Sequence, residues 1–223
     1  MVVYQTLGLL YDYEHTDAYT VSLLEHTAVY IVPAVNWDGY AAIGQGYSYN
    51  GRLQMIRKNR HLINGQEKCT SSEIGVDLNR NYPHKFALDD NGSSGALHEC
   101  WDDFRGLEGA SEPEVQAMIA FTDRVNLKVA VNLHAYGNLF ITPFNYADAI
   151  NSRLHMGYKS ADDFYDLVWE QMPPGNLKGN GATTVGYTAN GEASDWFLGE
   201  KGIIAMSPEL GTNDSRSNTF FIQ

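Results

Sequence analysis

Leu127-Lys128-Val129-Ala130-Val131-Asn132-Leu133-His134-Ala135-Tyr136 is the stretch on which the fold turns. Its apolar, partly β-branched run from 127 to 133 has strand length and composition, and it ends on an imidazole. Ile203-Ile204-Ala205-Met206-Ser207 repeats the pattern and places Glu209 just beyond its end. Ligands of open α/β sheets collect outside the carboxyl ends of strands, so His134 and Glu209 are both expected at one such edge.

Outward from these strands the periodicity becomes helical. Residues 160–171 suggest a helix. Ser111-Glu112-Pro113-Glu114 has the form of a capping box, with Ser111 as N-cap and Glu114 three residues on, before a helix reaching about Asp123. Toward the N-terminus, residues 2–13 read as an amphipathic helix and 19–25 as a short one. Ala28-Val29-Tyr30-Ile31-Val32-Pro33 reads as a buried strand, and 36–75, rich in Gly, Asn and Tyr, as mostly loop. Alternating strand-like and helical runs predict an α/β layer structure.

The composition bounds the function. With 223 residues, 43% of them hydrophobic and 19% charged, the chain has enough apolar surface for one substantial core. A net charge of −12 argues against nucleic acid as a partner, because phosphate binding needs clustered Lys and Arg. The longest apolar run, Ala28 to Val35, is interrupted by Pro33 and far short of the roughly 20 residues that span a bilayer, so no membrane insertion is expected. Cys69 and Cys100 are compatible with one disulfide, which favours an oxidising compartment, and equally with two separate thiols.

Several residues have chemistry suited to a site. His134, held at a strand end, has the rigid placement that a metal-ligating imidazole needs, and Glu209 follows an apolar strand as a desolvated general base does. In Asp77-Leu78-Asn79-Arg80-Asn81 the planar fork of Arg80 suits a carboxylate, with Asn79 as a further donor; an Arg–Asp pair stitching the loop is the alternative. Arg57-Lys58-Asn59-Arg60 is either a solvated basic turn or a cation source for an oxyanion. Tyr187 opens a Gly-containing loop, Tyr187-Thr188-Ala189-Asn190-Gly191.

Taken in order, these motifs resemble the zinc carboxypeptidase family that includes the pancreatic digestive enzymes. Val35 to Tyr40 is similar to its Asn-Pro-Asp-Gly-Tyr element, and Arg57 to Arg60 to its Arg-Lys-x-Arg. Gly75-Val76-Asp77-Leu78-Asn79-Arg80-Asn81-Tyr82 closely resembles its Gly-Val-Asp-x-Asn-Arg-Asn-aromatic signature. Glu108 to Glu114, Asn132 to Tyr136, Tyr187 to Trp196 and Ser207 to Leu210 resemble further family segments. The resemblance implies a mixed eight-stranded β-sheet flanked by helices on both faces, a Cys69–Cys100 disulfide, and secretion or a lysosome-like compartment. It implies Zn2+ as cofactor with His134 as one ligand, Glu209 as general base, and Arg57 as the oxyanion stabiliser. It further implies that Asn79, Arg80 and Tyr187 hold the substrate's terminal carboxylate, that Tyr136 lines a subsite, and that the position setting side-chain preference falls at or near Ser194. The substrate implied is the C-terminus of a peptide or protein.

The sequence departs from that pattern. None of its seven histidines is followed three residues later by Asp or Glu, so the His-x-x-Glu pair that completes the family's zinc site is absent. Gly211 stands where the digestive enzymes often carry an arginine. The chain is therefore expected to be a single partial catalytic domain, truncated at both ends and with little activity alone. The alternative is a metal-free binder of peptide C-termini.

Overall fold

The computed structural model describes residues 8, 18–44, 48–49, 52–53, 55–148, 159–172 and 174–211. In chain order the elements are α1 (Ala18–His26), α2 (Trp37–Gly44), β1 (Ser48–Tyr49), β2 (Arg52–Leu53), α3 (Pro113–Arg124), β3 (Val129–Val131) and β4 (His134–Ala135). They continue with β5 (Leu139–Ile141), α4 (Lys159–Glu170), β6 (Leu177–Gly179), α5 (Gly181–Thr184), α6 (Ala193–Lys201) and β7 (Ile204–Leu210). The chain divides into two units, residues 1–35 and 36–222.

In the first unit, α1 buries none of its residues. The helix expected over 2–13 lies outside the described residues apart from Gly8. The strand expected at 28–33 does not form. Val29, Tyr30 and Val32 stay 46, 52 and 46% exposed, and among the described residues no strand bonds to this segment. β-branched composition alone makes no strand without a partner to complete its ladder.

The second unit is built on β7, the longest strand. It pairs in parallel with β3 and β4 on one side and antiparallel with β5 on the other, and β5 pairs in parallel with β6. The sheet is thus mixed, with five strands among the described residues where the resemblance implies eight. Alternation along β7 sorts its side chains between two cores. Ala205, with Ile203 just before the strand, packs with Val115 of α3 and Trp196 and Phe197 of α6. Met206 joins Phe140, Phe144, Leu198 and the α4 residues Ala161 and Tyr165. Helical residues therefore meet β7 residues of both parities, the two-faced layering expected of an α/β fold.

Boundaries differ from the sequence reading where tertiary bonds decide them. The strand of 127–133 is split into β3 and β4, bridged by a hydrogen bond from Asn132 N to Met206 O of 2.9 Å. β7 continues through Pro208 to Leu210, because β4 and β5 flank it there, so Glu209 lies inside the strand and not just past it. α3 takes Glu112 as N-cap and Pro113 in its first turn, while Ser111 bonds the Glu112 carboxylate at 2.8 Å. Pro fits that position because the first helical N–H has no intrahelical partner. A capping box does form elsewhere, between Thr70 and Glu73. Among the described residues of 36–75, α2, the antiparallel pair β1–β2 and the short turns Gln66–Lys68 and Ser71–Glu73 are ordered elements in a segment expected to be mostly loop.

Cys69 and Cys100 are joined, with Cα atoms 5.4 Å apart across a sequence separation of 31. In the chain-entropy picture such a loop contributes about 3 kcal/mol by restricting the unfolded chain.

Candidate active site

Register brings the two strand-end residues together. His134 on β4 lies directly opposite Glu209 on β7, so the two side chains leave the sheet on the same face. Both line a cleft with Arg57, Asn79, Arg80 and Tyr187; Asn145, Ser207 and Glu192 also face it. Six of the eight residues proposed from sequence thus meet in one place. Ser194 does not reach it: fully buried in the first turn of α6, it receives only a long contact from Asn145 Nδ2 at 3.4 Å. Tyr136 is not among the lining residues.

One wall of the cleft is assembled from segments distant in sequence. Asn59 N bonds Val76 O at 3.0 Å, and Val76 N bonds Asn59 Oδ1 at 2.9 Å, which lays 57–60 against 75–77. Gly75 is required at that crossing: its φ is +114°, and a Cβ there would stand 2.5 Å from Arg60 N. The basic stretch is consequently no solvated turn, since Lys58 and Asn59 are buried. Arg57 extends into the cleft and donates from Nε to Asp77 Oδ2 at 2.6 Å. Asp77 also accepts from Asn79 N at 3.0 Å, capping the short turn Leu78–Arg80.

The Arg–Asp pair anticipated for this loop therefore forms with Arg57, leaving Arg80 to other acceptors. Arg80 donates from Nε to Gly92 O and from Nη1 to Asn79 O at 2.8 Å and Glu192 Oε1 at 3.1 Å. Asn79 accepts from Ala193 N at 3.1 Å and points Nδ2 toward Glu192 Oε1 at 3.5 Å. Beneath this wall, buried Asp195 accepts from Asn145 N at 2.7 Å and Tyr146 N at 3.2 Å.

The electrostatics follow from burial and neighbours. Asp77 would be raised by burial, but Arg57 and Arg80 and its hydrogen bonds hold it below the usual carboxylate range. Arg57 is correspondingly raised by Asp77. Burial, aided by the positive charges of Arg57 and Arg80 and opposed by Asp77, brings His134 down to about 4, so its imidazole is neutral near pH 7. Burial pushes Glu209 up to about 7; Glu192 adds to the rise, and Arg57 and Arg80 oppose it. Glu192 and Asp195 are raised too, chiefly by burial.

A catalytic zinc site takes three protein ligands and an open position. Among the described residues no group of three His, Cys, Asp or Glu side chains converges to hold a metal, and His134 is the one imidazole lining the cleft. The described donors fall short of that ion.

The cleft thus sets an imidazole and a carboxyl side by side on adjacent strands of a mixed sheet, together with two arginines. The chain belongs to the zinc carboxypeptidase family, whose profile matches residues 1–223. It is 32% identical over 218 residues to a metallocarboxypeptidase A-like protein of Trichophyton verrucosum, covering 94% of this chain and 46% of that one. It is 31% identical over 180 residues to human carboxypeptidase B2, covering 79% and 39%. Its structure is similar to that of bovine thrombin-activatable fibrinolysis inhibitor in complex with tick carboxypeptidase inhibitor. That match has a TM-score of 0.69 at 26% identity and covers 96% of this chain and 66% of the other. The chain spans less than half the length of these two curated relatives.

Asn145, Glu192 and Ser207 are polar lining residues that sequence reading did not assign. A Glu two residues before the proposed selectivity position is visible in the sequence, but its partner Arg80 lies 112 residues away.

Proposed function

We propose that residues 1–223 form a single partial catalytic domain of a zinc carboxypeptidase, carrying the part that grips a peptide's C-terminal carboxylate. The observation that carries this reading is the carboxylate of Glu192 beside Arg80 Nη1 and Asn79 Nδ2, at 3.1 and 3.5 Å. It supports the pair as a carboxylate receptor already in binding geometry. Tyr187, half-exposed in the same cleft, is the third group to hold that carboxylate.

The reaction of such a domain is hydrolysis of the terminal peptide bond. Within it Glu209, with a carboxyl that titrates near 7, takes a proton from the attacking water and returns it to the leaving amine. Arg57, fixed by Asp77, offers its remaining N–H groups to the developing oxyanion. Neutral His134 would be one ligand of the zinc that the family implies, an ion that would supply Lewis-acid activation of carbonyl and water. The domain works in an oxidising compartment, secretory, extracellular or lysosome-like; the Cys69–Cys100 bond supports this.

With one zinc-ligating imidazole in the cleft, this polypeptide by itself is expected to release little or no C-terminal residue. Its second reading, a metal-free binder of peptide C-termini, shares every clamp residue and differs only in turnover. The test is binding of a short peptide acid and its C-terminal amide by calorimetry in the presence of chelator. Preference for the acid, lost in Arg80→Met, supports the receptor; equal binding of acid and amide removes it.

A further inference from the structure

Asn91-Gly92-Ser93 has the form Asn-x-Ser, with x any residue but proline, that marks an acceptor of N-linked sugar in a secreted chain. The match alone is weak, and the placement of its residues gives it weight. The stretch 89–94 is a loop fastened on both sides of Asn91. Arg105 Nη1 donates to Asp89 O at 3.0 Å, to Asp90 Oδ1 at 2.7 Å and to Ser93 O. Asn190 Nδ2 donates to Asp89 O at 3.1 Å, and Arg80 Nε to Gly92 O. Between these anchors Asn91 N bonds Asp89 Oδ1 at 2.9 Å, while the Asn91 residue is exposed and its side chain makes no hydrogen bond among the described residues.

The other two residues of the triplet have different reasons to be there. Gly92 is required by the fold: its φ is +57°, and a Cβ would collide with Thr188 O and stand 2.9 Å from the Tyr187 ring. Ser93 is not. It is fully buried, and its Oγ has no hydrogen-bond partner among the described residues, so the hydroxyl costs the fold a desolvated polar group that alanine would spare. A hydroxyl that neither packing nor hydrogen bonding asks for is what the triplet needs at its third position. Because folding hides Ser93, the triplet is readable only on the unfolded chain. Folding then leaves Asn91 facing solvent, where a bulky polar modification is tolerated.

We infer that Asn91 is an N-glycosylation site, carrying an oligosaccharide on Nδ2 one residue from the glycine that packs against Tyr187 of the cleft. The step is glycosyl transfer from an oligosaccharide linked to a lipid pyrophosphate. Nδ2 bonds the anomeric carbon, the bond from that carbon to the phosphate oxygen breaks with its electron pair on the pyrophosphate, and one amide proton passes to a base of the transferase. The inference rests on the reading of an oxidising, secretory compartment, which the Cys69–Cys100 bond supports.

The test sends the 223-residue chain through the secretory pathway of a cultured fungal or mammalian cell behind a cleavable leader. Asn213→Gln is present throughout to silence a second triplet, Asn213-Asp214-Ser215, which lies outside the described residues. Chain is recovered from the medium and from the secretory membranes, since transfer precedes folding and needs no export. Peptide:N-glycosidase leaves an aspartate wherever it removes a glycan, and peptide mass mapping is expected to find position 91 converted. Asn91→Gln and Ser93→Ala are each expected to lose the glycan altogether, with Ser93→Ala melting no lower than the deglycosylated parent. A disulfide-bonded chain with Asn91 unmodified overturns the inference and leaves the compartment reading standing. A glycan kept at Asn91 in Ser93→Ala overturns the assignment of the triplet. An unmodified chain with Cys69 and Cys100 both open to alkylation removes the compartment reading and the inference together.

Discussion

The two walls of the cleft are built to different degrees of completion. On the clamp wall Arg57, Asp77, Asn79, Arg80 and Glu192 bond one another across as many as 113 positions of sequence. On the opposite wall His134 and Glu209 share a register across the sheet, yet among the described residues neither side chain makes a hydrogen bond. The clamp wall satisfies its charges internally, with Arg80 and Asn79 already engaged by Glu192. The other wall presents a neutral imidazole and a carboxyl near neutrality, each shifted chiefly by burial.

Substitutions on the clamp wall are therefore expected to damage stability most. Asp77→Ala strands the Arg57 charge and the Asn79 N–H; because the Arg57 side chain is 43% exposed, the loss is set at about 2–3 kcal/mol, below that of a fully buried pair. Denaturant melts measure it, and a loss under about 0.5 kcal/mol would place Asp77 outside the network. The same carboxylate fixes a pH dependence. A group held below its ordinary 3.8 stabilises the fold above that value and loses its contribution as pH falls through the depressed one, so Asp77→Asn flattens the acid limb of the stability profile.

Asn79→Ala removes the acceptor for Ala193 N and a long contact to Glu192, and about 1 kcal/mol of destabilisation is expected from the same melts.

On the open wall the sign reverses. Glu209 is raised from 4.5 to about 7, so its contribution to stability is complete below 4.5 and is lost as pH rises through 7. Glu209→Gln should match wild type at acid pH and become the more stable protein above neutrality. Thermal melts across that range would contradict the comparison if the variant were less stable at alkaline pH. The smallest effect expected is on titration. Glu192→Gln removes a negative neighbour and should lower the Glu209 value, read from carboxyl 13C shifts; an upward move would show that Glu192 acts on it other than by charge.

Much of this contrast was legible in the residues themselves. Two apolar runs of strand length anticipate that His134 and Glu209 come together at one edge of the sheet, although β7 runs on through Glu209, and the fork of Arg80 beside Asn79 left an anion clamp and a loop-stitching ion pair both open. What stayed hidden depends on contacts remote in sequence. Arg57 could be assigned a partner only after 57–60 crossed 75–77, and the burial of Ser194 only after α6 packed Trp196 and Phe197 against Val115 and Ala205. The run at 28–33 misled because composition reports a willingness to form a strand and not the presence of a neighbour.

That the described residues of the cleft do not by themselves make a zinc site is tested most directly by zinc stoichiometry. Elemental analysis of the purified chain after dialysis against trace zinc is expected to find no tightly held ion, consistent with one imidazole in the cleft. One zinc retained per chain, lost in His134→Ala, would contradict it and make both walls of the cleft complete.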